Sequence, residues 1–297
     1  MTPTNSLLPV QRRRDALRTL AALGGAVALP SLAAGKPAPR LITISGAITE
    51  VVYALGVEGQ LVGTDTTSLY PPAAQKTPKV GYMRQLSAEG LLSLKPDAVI
   101  ATTESGPPVV LDQLRSAGVK LELINADHSW AEVQRKVQAV GRAAGRQAQA
   151  GELQRTLDAQ WSEVQASVAA AGNNNKRKPR VLFVLAHSAS PQVSGEKTAA
   201  DAVIRFAGGI NCLSGFQGYR PMTAEAMASA APDVILTSNQ GIEAQGGIDR
   251  FWQRPELALT PAYARRRLVT MDALLLLGFG PRLPMTIGEL HRQLHAA

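Results

Sequence analysis

One tyrosine, Tyr70, stands in a sequence setting that suits metal binding. It follows a short predicted strand, Leu61–Thr64, and a Thr-Thr-Ser turn, and Pro71 and Pro72 then prevent the chain from continuing as a helix. Loops at the carboxyl ends of parallel strands are where open α/β sheets bind ligands. A phenolate is a hard anionic oxygen that suits ferric iron, but a phenol ionises at neutral pH only beside a metal or a cation. On residue type alone, a loop tyrosine packed on proline is the commoner arrangement.

The chain contains four histidines, in three different settings. His291 and His295 are four residues apart on the last predicted helix, a spacing that can bind a metal, but no third ligand is apparent and a solvated helix face is expected. His128 precedes a long helical region and is expected at the surface. His187 directly follows the predicted strand Val181–Ala186, so it is either a ligand-site residue at the mouth of a cleft or a plain strand-end histidine.

Several classes of function are disfavoured by what the sequence lacks. With one cysteine, Cys212, the chain has no internal disulfide and no cysteine-rich metal site. The phosphate-binding glycine loops, the Gly-x-Ser-x-Gly elbow and the His-Glu-x-x-His motif are absent, which argues against an enzyme such as a two-lobed glycosyltransferase. The basic runs 176–178 and 265–267 are not interleaved with aromatic residues, so nucleic-acid binding is not expected.

The first 35 residues have the pattern of an export signal. Four arginines precede an apolar run, Leu20–Leu29, which is too short to span a membrane, and a small-residue pattern follows that places cleavage near Ala33 or Ala34. The segment Arg13–Arg18 also loosely resembles a twin-arginine signal. Removal of four Arg and one Asp lowers the net charge from +8 to +5. The mature protein is therefore expected to be exported.

Strands and helices alternate on both sides of one long helical region. This alternation predicts parallel sheets covered by helices in an N-terminal lobe, 40–145, and a C-terminal lobe, 178–297. Between them the proline-free region from Trp130 onward predicts two helices separated by Gly141 and Gly145, the second being a long linker within 146–172.

An internal repeat supports two similar lobes. Residues 87–100 and 223–236 share the pattern Ala-Glu followed by Pro-Asp at a constant offset of 136, which aligns Glu89 with Glu225. A Gly-Tyr pair precedes each copy. The fold class predicted is therefore α/β, with two Rossmann-like lobes joined by a rigid helix and a ligand cleft between them.

Across essentially the whole mature chain, the sequence resembles the haem-binding periplasmic proteins of bacterial haem-uptake ABC transporters. The segments that carry the resemblance are 44–50 (Ile-Ser-Gly-Ala-Ile-Thr-Glu), 63–71 (Gly-Thr-Asp-Thr-Thr-Ser-Leu-Tyr-Pro), 81–90, 198–202, 218–221 (Gly-Tyr-Arg-Pro) and 278–282 (Gly-Phe-Gly-Pro-Arg). The Ser-Ala-Glu and Lys-Pro-Asp repeat matches the wider class of helix-linked binding proteins. The Thr-Ser-Leu-Tyr-Pro segment is specific to the haem branch.

The resemblance implies a site for ferric haem (ferric protoporphyrin IX) in the cleft. It makes Tyr70 the axial iron ligand, with Arg220 as the cation that assists it, and His187 the ligand of a second haem where two are bound. The resemblance also implies that Tyr219, which precedes Arg220, is a haem-binding residue. Arg84, Arg220 and Arg282 are candidates for the haem propionates, because guanidinium pairs well with carboxylate, and a plain surface arginine is the competing interpretation of each.

The resemblance also implies the partner and the location. It places Glu89 and Glu225 on the upper surfaces of the lobes, where they dock onto arginines of an inner-membrane permease that works with an ATPase. Both also have an ordinary interpretation as acids near helix N-termini. The protein is then a non-enzymatic periplasmic monomer. The alternative is a ferric-siderophore or cobalamin binder of the same architecture.

Overall fold

The protein is described here as a computed structural model, which covers residues 37–172, 177–186 and 191–296. The predicted export signal, residues 1–35, and the candidate ligand His187 both lie outside the described residues. The unit that begins at Ala38 contains both sheets of the fold.

The first lobe is built on a four-stranded parallel sheet. Its strands, in the spatial order β2-β1-β3-β4, are β1 (Leu41–Ile44), β2 (Leu61–Thr64), β3 (Ala98–Thr102) and β4 (Lys120–Ile124). Every residue of β1 and β3 is buried, as expected for central strands covered on both faces. The helices on this sheet are α1 (Gly46–Ala54), α2 (Ala88–Ser93) and α3 (Pro108–Ser116).

Two consecutive helices, α4 (Trp130–Ala144) and α5 (Gln147–Gly172), lead from the first lobe to the second. Gly145 ends α4 in the left-handed conformation, with φ of 68°. Gly141 does not divide the region as the sequence predicted, because α4 continues through it. A Cβ atom at Gly141 would lie 2.5 Å from the Cβ of Ala150, so this glycine lets the two helices approach closely.

The second lobe has a mixed sheet with the spatial order β10-β9-β5-β6-β8, and β7 also pairs with β5. Strands β5 (Arg180–Leu185), β7 (Ile210–Asn211), β9 (Val234–Ser238) and β10 (Leu268–Met271) are parallel to one another. These strands form the predicted parallel sheet, and β6 (Gln192–Ser194) and β8 (Tyr219–Pro221), which were not predicted, extend it beyond β5 in the antiparallel sense. The two-lobe α/β fold is otherwise as predicted.

Short helices cover this second sheet, and a longer one closes the chain. They are α6 (Ala199–Phe206), α7 (Ala224–Ala230), α8 (Asn239–Ala244), α9 (Ile248–Trp252), α10 (Pro261–Ala264), α11 (Ala273–Leu277) and α12 (Leu283–His295). The described residues also form three short 3-10 helices, of which Glu58–Gln60 and Pro72–Lys76 lie in the first lobe and Pro255–Leu257 in the second. None of the helices within the described residues is both long and apolar enough to cross a membrane.

The linker helix α5 packs against the hydrophobic cores of both lobes. Leu157, near its middle, belongs to the core of the first lobe, and Trp161, one turn later, packs against the core of the second. The Trp161 ring stacks on Trp130 of α4 with centroids 4.9 Å apart and planes 1° from parallel. The lobes are therefore joined by a helix whose side chains are part of both cores.

Candidate functional site

The loop that carries Tyr70 is organised around a buried carboxylate. Asp65, directly after β2, is fully buried and accepts hydrogen bonds from the backbone N–H of Ser45 (3.1 Å), from the hydroxyl of Thr67 (2.6 Å) and from the hydroxyl of Ser68 (2.9 Å). Asp65 therefore fixes both the turn after β2 and its contact with the start of α1.

Lys79 holds the same loop from the other side. Its ammonium nitrogen donates to the Thr64 hydroxyl (2.8 Å), the Ser68 carbonyl (3.0 Å) and the Ala74 carbonyl (3.1 Å). Burial lowers the pKa of Lys79, and the charge of Asp65 opposes this shift. The ammonium group is the donor in all three bonds. Because Ser68 precedes Tyr70 and Ala74 follows it, the lysine holds the loop on both sides of the tyrosine.

Tyr70 itself is presented to solvent by this fixed loop. Its side chain is 44% exposed, and the preceding Leu69 is 46% exposed. The backbone of Thr66 donates to Gly81 (3.0 Å), so the neighbouring segment with Tyr82 and Arg84 runs alongside the tyrosine loop. An exposed phenol on a rigid support is an arrangement in which an oxygen ligand can be offered to a metal.

The cation beside Tyr70 comes from the second lobe and is Arg282. Its guanidinium carbon lies 3.7 Å from the centre of the Tyr70 ring. The same guanidinium donates from Nε and Nη2 to the two carboxylate oxygens of Glu50, at 2.7 and 2.6 Å. Glu50 is 5% exposed, and burial raises its pKa while Arg282 opposes this shift. The three side chains form one contact between the lobes.

Arg84 belongs to a second polar cluster. It donates to the Tyr82 hydroxyl at 2.9 Å and pairs with Glu104 at 3.2 Å, and about half of its side chain is exposed. The charges of Arg84 and Glu104 act on Tyr219 of β8, in the second lobe, through their electrostatic fields alone. Burial raises the pKa of Tyr219 to about 12, opposed by a hydrogen bond with Thr198. Tyr219 is thus a neutral phenol at physiological pH.

Arg220 is exposed, and its guanidinium carbon lies 4.4 Å from the centre of the Phe216 ring. The structure therefore places Arg282, rather than Arg220, in stacking contact with Tyr70, and Arg220 as the cation assisting Tyr70 stays a prediction. The ring of Phe216 supports Arg220 from one side and leaves its charge at the surface of the second lobe.

The remaining polar candidates occupy different surroundings. His128, expected at the surface, is only partly exposed: 17% of its side chain is accessible, and its ring centre lies 5.4 Å from that of Phe279. Nδ1 of His291 donates a hydrogen bond to the Ala207 carbonyl at 2.9 Å, which ties its ring to the second lobe. Within the described residues no group of three His, Cys, Asp or Glu side chains is arranged to hold a metal ion. Burial raises the pKa of Cys212 to about 12.

Glu89 and Glu225 occupy matching positions in the two lobes. Each is exposed and lies in the first turn of a short helix, α2 or α7. The hydroxyls of Ser87 and Thr223 cap these helices by accepting from a backbone N–H at 3.4 and 3.3 Å. In the described part of the chain neither glutamate has an ion-pair partner within 4 Å. Both carboxylates are therefore accessible.

Comparison with known families agrees with this architecture. Residues 41–275 match the family model described as periplasmic binding protein. The chain belongs to this family of binding proteins. The match covers both lobes and the linker helix of the periplasmic binding protein, from β1 to within α11.

Individual relatives are similar along most of their length. One similar solved structure is that of the periplasmic heme-binding protein BhuT in complex with two hemes. Its sequence is 45% identical to this chain, the match covers 86% of this chain and 97% of the BhuT chain, and the two structures superpose with a TM-score of 0.82. The ABC transporter substrate-binding lipoprotein YvrC of Bacillus subtilis is 26% identical over 88% of this chain and 81% of its own length. A vitamin B12-binding protein of Vibrio cholerae is 27% identical over 75% of this chain and 79% of its own.

Sequence reasoning missed two carboxylates of the site, Glu50 and Glu104. Glu50 lies within one of the segments that carry the resemblance, but no local pattern connects it to Arg282, 232 residues away. Glu104 follows β3 by two residues, a strand-end position like that of Asp65 after β2. This position was the available signal for Glu104, and for Glu50 there was none.

Proposed function

We propose that this periplasmic binding protein captures ferric haem between its lobes, with Tyr70 as the iron ligand, and delivers it to an inner-membrane ABC permease with its ATPase. The observation that carries the proposal is the exposed phenol of Tyr70 on a loop held by Asp65 and Lys79, with Arg282 against its ring. The 45% identity to BhuT, which was solved with two hemes, supports haem as the ligand.

The chemistry required is binding and release. A phenolate oxygen is a strong ligand for ferric iron, and the guanidinium of Arg282 lies against the ring that carries this oxygen. The exposed side chains of Leu69 and Tyr82 offer apolar surface to a macrocycle. Arg84 and Arg220, both exposed, offer guanidinium groups to the propionates, and Tyr219 offers a neutral hydroxyl. No bond is made or broken in the ligand, so we propose no enzymatic turnover.

Two haems in BhuT support a site for more than one haem in this chain as well. His187, outside the described residues, stays a prediction as ligand of the second haem. A haemin titration of the mature protein followed by absorption spectroscopy measures the stoichiometry and reports the axial ligand at the same time.

The partner and the compartment follow from the same reasoning. The exposed Glu89 and Glu225 suit docking onto arginines of a permease, and the name of YvrC as an ABC transporter substrate-binding protein supports such a partner. The export pattern of residues 1–35, with cleavage near Ala33 or Ala34, supports a periplasmic location. We propose a monomer as the working form.

The second candidate is a cobalamin binder, which the similarity to the vitamin B12-binding protein favours. In a cobalamin, as in a ferric siderophore, the metal arrives already largely coordinated. A tyrosine oxygen therefore contributes less to binding such ligands than to binding haem.

The test is the spectrum of the Tyr70→Phe variant. Phe keeps nearly all the ring packing, including the contact with Arg282, and removes only the oxygen. If Tyr70 ligates iron, Tyr70→Phe and Tyr70→Ala both lose the charge-transfer band of the ferric phenolate, and both bind haem more weakly. An unchanged ferric-haem spectrum in Tyr70→Phe overturns the ligand assignment. Failure of the wild type to bind haemin, with binding of cyanocobalamin, favours the second candidate.

A further inference from the structure

Arg282 is shared between a buried carboxylate and the exposed ring of Tyr70. Two of its nitrogens are used by Glu50, and its planar group lies against the ring face of Tyr70 at 3.7 Å. Glu50 lies on α1 and Tyr70 on the loop after β2, both in the first lobe, whereas Arg282 directly precedes α12 in the second. The first lobe therefore supplies both the residue that holds the guanidinium and the ring on which it rests.

Glu50 is placed to hold an arginine. It is almost completely buried, and an ionised carboxylate in that position is costly unless a cation pairs with it. The bidentate geometry fixes the plane as well as the position of the guanidinium. Gly280 lies close to this pair, because a Cβ atom there would be in tight contact with the Cβ of Ala47, at 3.3 Å, and in ordinary contact with Oε2 of Glu50, at 3.6 Å.

Two other charged residues lie near the Glu50–Arg282 ion pair, but neither takes the place of Arg282 as the partner of Glu50. Lys136 and Asp272 act on Glu50 only through their electrostatic fields, Asp272 acts likewise on Arg282, and the hydrogen bonds to Glu50 come from Arg282. Lys136 is itself paired with Glu132 at 2.6 Å. Arg282 is thus the cation that Glu50 orients toward Tyr70.

The contact restricts a side chain that is otherwise open to solvent. Because Tyr70 is 44% exposed, its side chain has room to move. The flat guanidinium on one face of the ring limits the positions that the hydroxyl can reach. A guanidinium is also attracted more strongly to a ring that carries negative charge than to a neutral one. Both effects are useful for a tyrosine that coordinates iron as phenolate.

We propose that Glu50 and Arg282 are positioning residues for Tyr70, and that Arg282 acts on haem binding through this ring rather than by pairing with a propionate. The inference rests on the proposed function. It also makes the orientation of the iron ligand in one lobe dependent on a side chain of the other.

The experiment is a double-mutant cycle on the haem-loaded chain. Arg282→Gln, Arg282→Lys and Glu50→Gln are each made in the wild type and in Tyr70→Phe, with Arg115→Gln as the control that breaks an exposed Arg–Asp pair in the first lobe. The readouts are the ferric phenolate charge-transfer band and the rate at which haem passes to an excess of an apo-haem acceptor. Thermal unfolding of the haem-free proteins reports whether each variant folds.

We expect Arg282→Gln and Glu50→Gln to shift or weaken the charge-transfer band and to release haem about ten-fold faster than wild type. Arg282→Lys restores charge but not the planar stack and is expected to recover only part of the loss. In the Tyr70→Phe background the same substitutions are expected to change haem release little, because the ligand oxygen is already gone. The control is expected to match wild type throughout.

Three outcomes overturn the inference. If folded Arg282→Gln and Glu50→Gln keep the wild-type band and release rate, the pair does not position Tyr70. If Arg282→Gln costs as much in Tyr70→Phe as in wild type, Arg282 binds haem directly. If Glu50→Gln changes only thermal stability, its role is structural. In all three cases the proposed function stands as long as the wild-type protein binds haem and shows the phenolate band. If the wild-type protein shows no such band, the proposed function itself fails.

Discussion

Lys136 of α4 donates a hydrogen bond of 3.0 Å to the backbone carbonyl of Phe279, a residue of the second lobe. The ammonium group also donates to the carbonyl of Gly278 at 2.8 Å and to Glu132 at 2.6 Å, and the whole side chain is 1% exposed. A lysine is rarely buried this completely unless it is paired. The bonds therefore connect the helix before the linker to the segment that leads to Arg282.

The first prediction concerns this buried lysine. Lys136→Met removes the cation and leaves the carboxylate of Glu132, itself 3% exposed, without its charged partner. We expect the free energy of unfolding to fall by about 3–5 kcal/mol, measured by urea denaturation.

A matched pair of variants tests whether the cost is electrostatic. Glu132→Gln combined with Lys136→Met removes both charges, and the amide oxygen can still accept from the His128 backbone N–H, which bonds Glu132 at 2.7 Å. The double variant is expected to be more stable than Lys136→Met alone. A double variant that is less stable than the single one contradicts this account, and Arg115→Gln serves as the exposed control.

The second prediction concerns lobe motion. The linker helix α5 resists bending because bending breaks its hydrogen-bond ladder. Direct contacts from Arg282 to Glu50 and from Lys136 to Gly278 add to this resistance. We expect solution scattering to show nearly the same radius of gyration with and without haemin. A large drop on binding, as in hinged sugar-binding proteins, is the contrary result.

A third prediction concerns the two exposed glutamates. Reversal of both, Glu89→Lys with Glu225→Lys, is expected to abolish haem uptake by cells and to leave haem binding by the purified protein intact. Like charges would then face each other across the interface with the permease, which costs several kcal/mol. Both side chains are exposed, so the variant is expected to fold normally. Normal uptake by the double variant refutes the docking role.

The fourth prediction is a pH dependence at the contact between α4 and α5. Asp158 accepts hydrogen bonds from Trp130 (2.7 Å), Gln134 (2.8 Å) and Gln154 (2.9 Å). Burial raises the pKa of this carboxyl, but the three hydrogen bonds outweigh burial and place it below the ordinary value of 3.8. A lowered pKa stabilises the fold at pH values above that of the unfolded chain, and this stabilisation is lost as the pH falls through the folded value.

Asp158→Asn is therefore expected to cost about 1–2 kcal/mol of unfolding free energy at pH 7 and progressively less below about pH 4. Denaturant unfolding at several pH values measures this difference. Asp112→Asn, at an exposed pair with Arg115, is the control. A cost for Asp158→Asn that stays constant down to pH 2.5 contradicts the assignment.

Several strands and helices could be predicted from the pattern of adjacent residues alone. The strand predicted at Leu61–Thr64 has the observed bounds of β2, and the strand predicted at Val181–Ala186 occupies Arg180–Leu185. Strands β6 and β8 were not predicted, because segments of three residues are too short to show a period. Gly141 was predicted to end a helix, and only the approach of Ala150, invisible in the sequence, explains why it does not.

The candidate site divides in the same way. The strand end, the turn and the two prolines marked Tyr70 as a candidate, and the resemblance carried by the Thr-Ser-Leu-Tyr-Pro segment made it the predicted iron ligand. The stacking of Arg282 on Tyr70 depends on how the lobes meet, and on a carboxylate distant in sequence. Such pairings arise from tertiary packing, which neither propensity nor spacing along the chain records.

The position of Leu157 in one core and Trp161 in the other, four residues apart on α5, limits how this chain can change in length. One residue inserted between them would lengthen the helix by about 1.5 Å and rotate everything beyond it by about 100°. Trp161 would then turn away from Trp130, and the second lobe would swing around the helix axis, carrying Arg282 away from Tyr70. The linker helix thus fixes both the distance and the rotation between the two lobes. It can accept substitutions that keep its length, but not the insertion of a single residue.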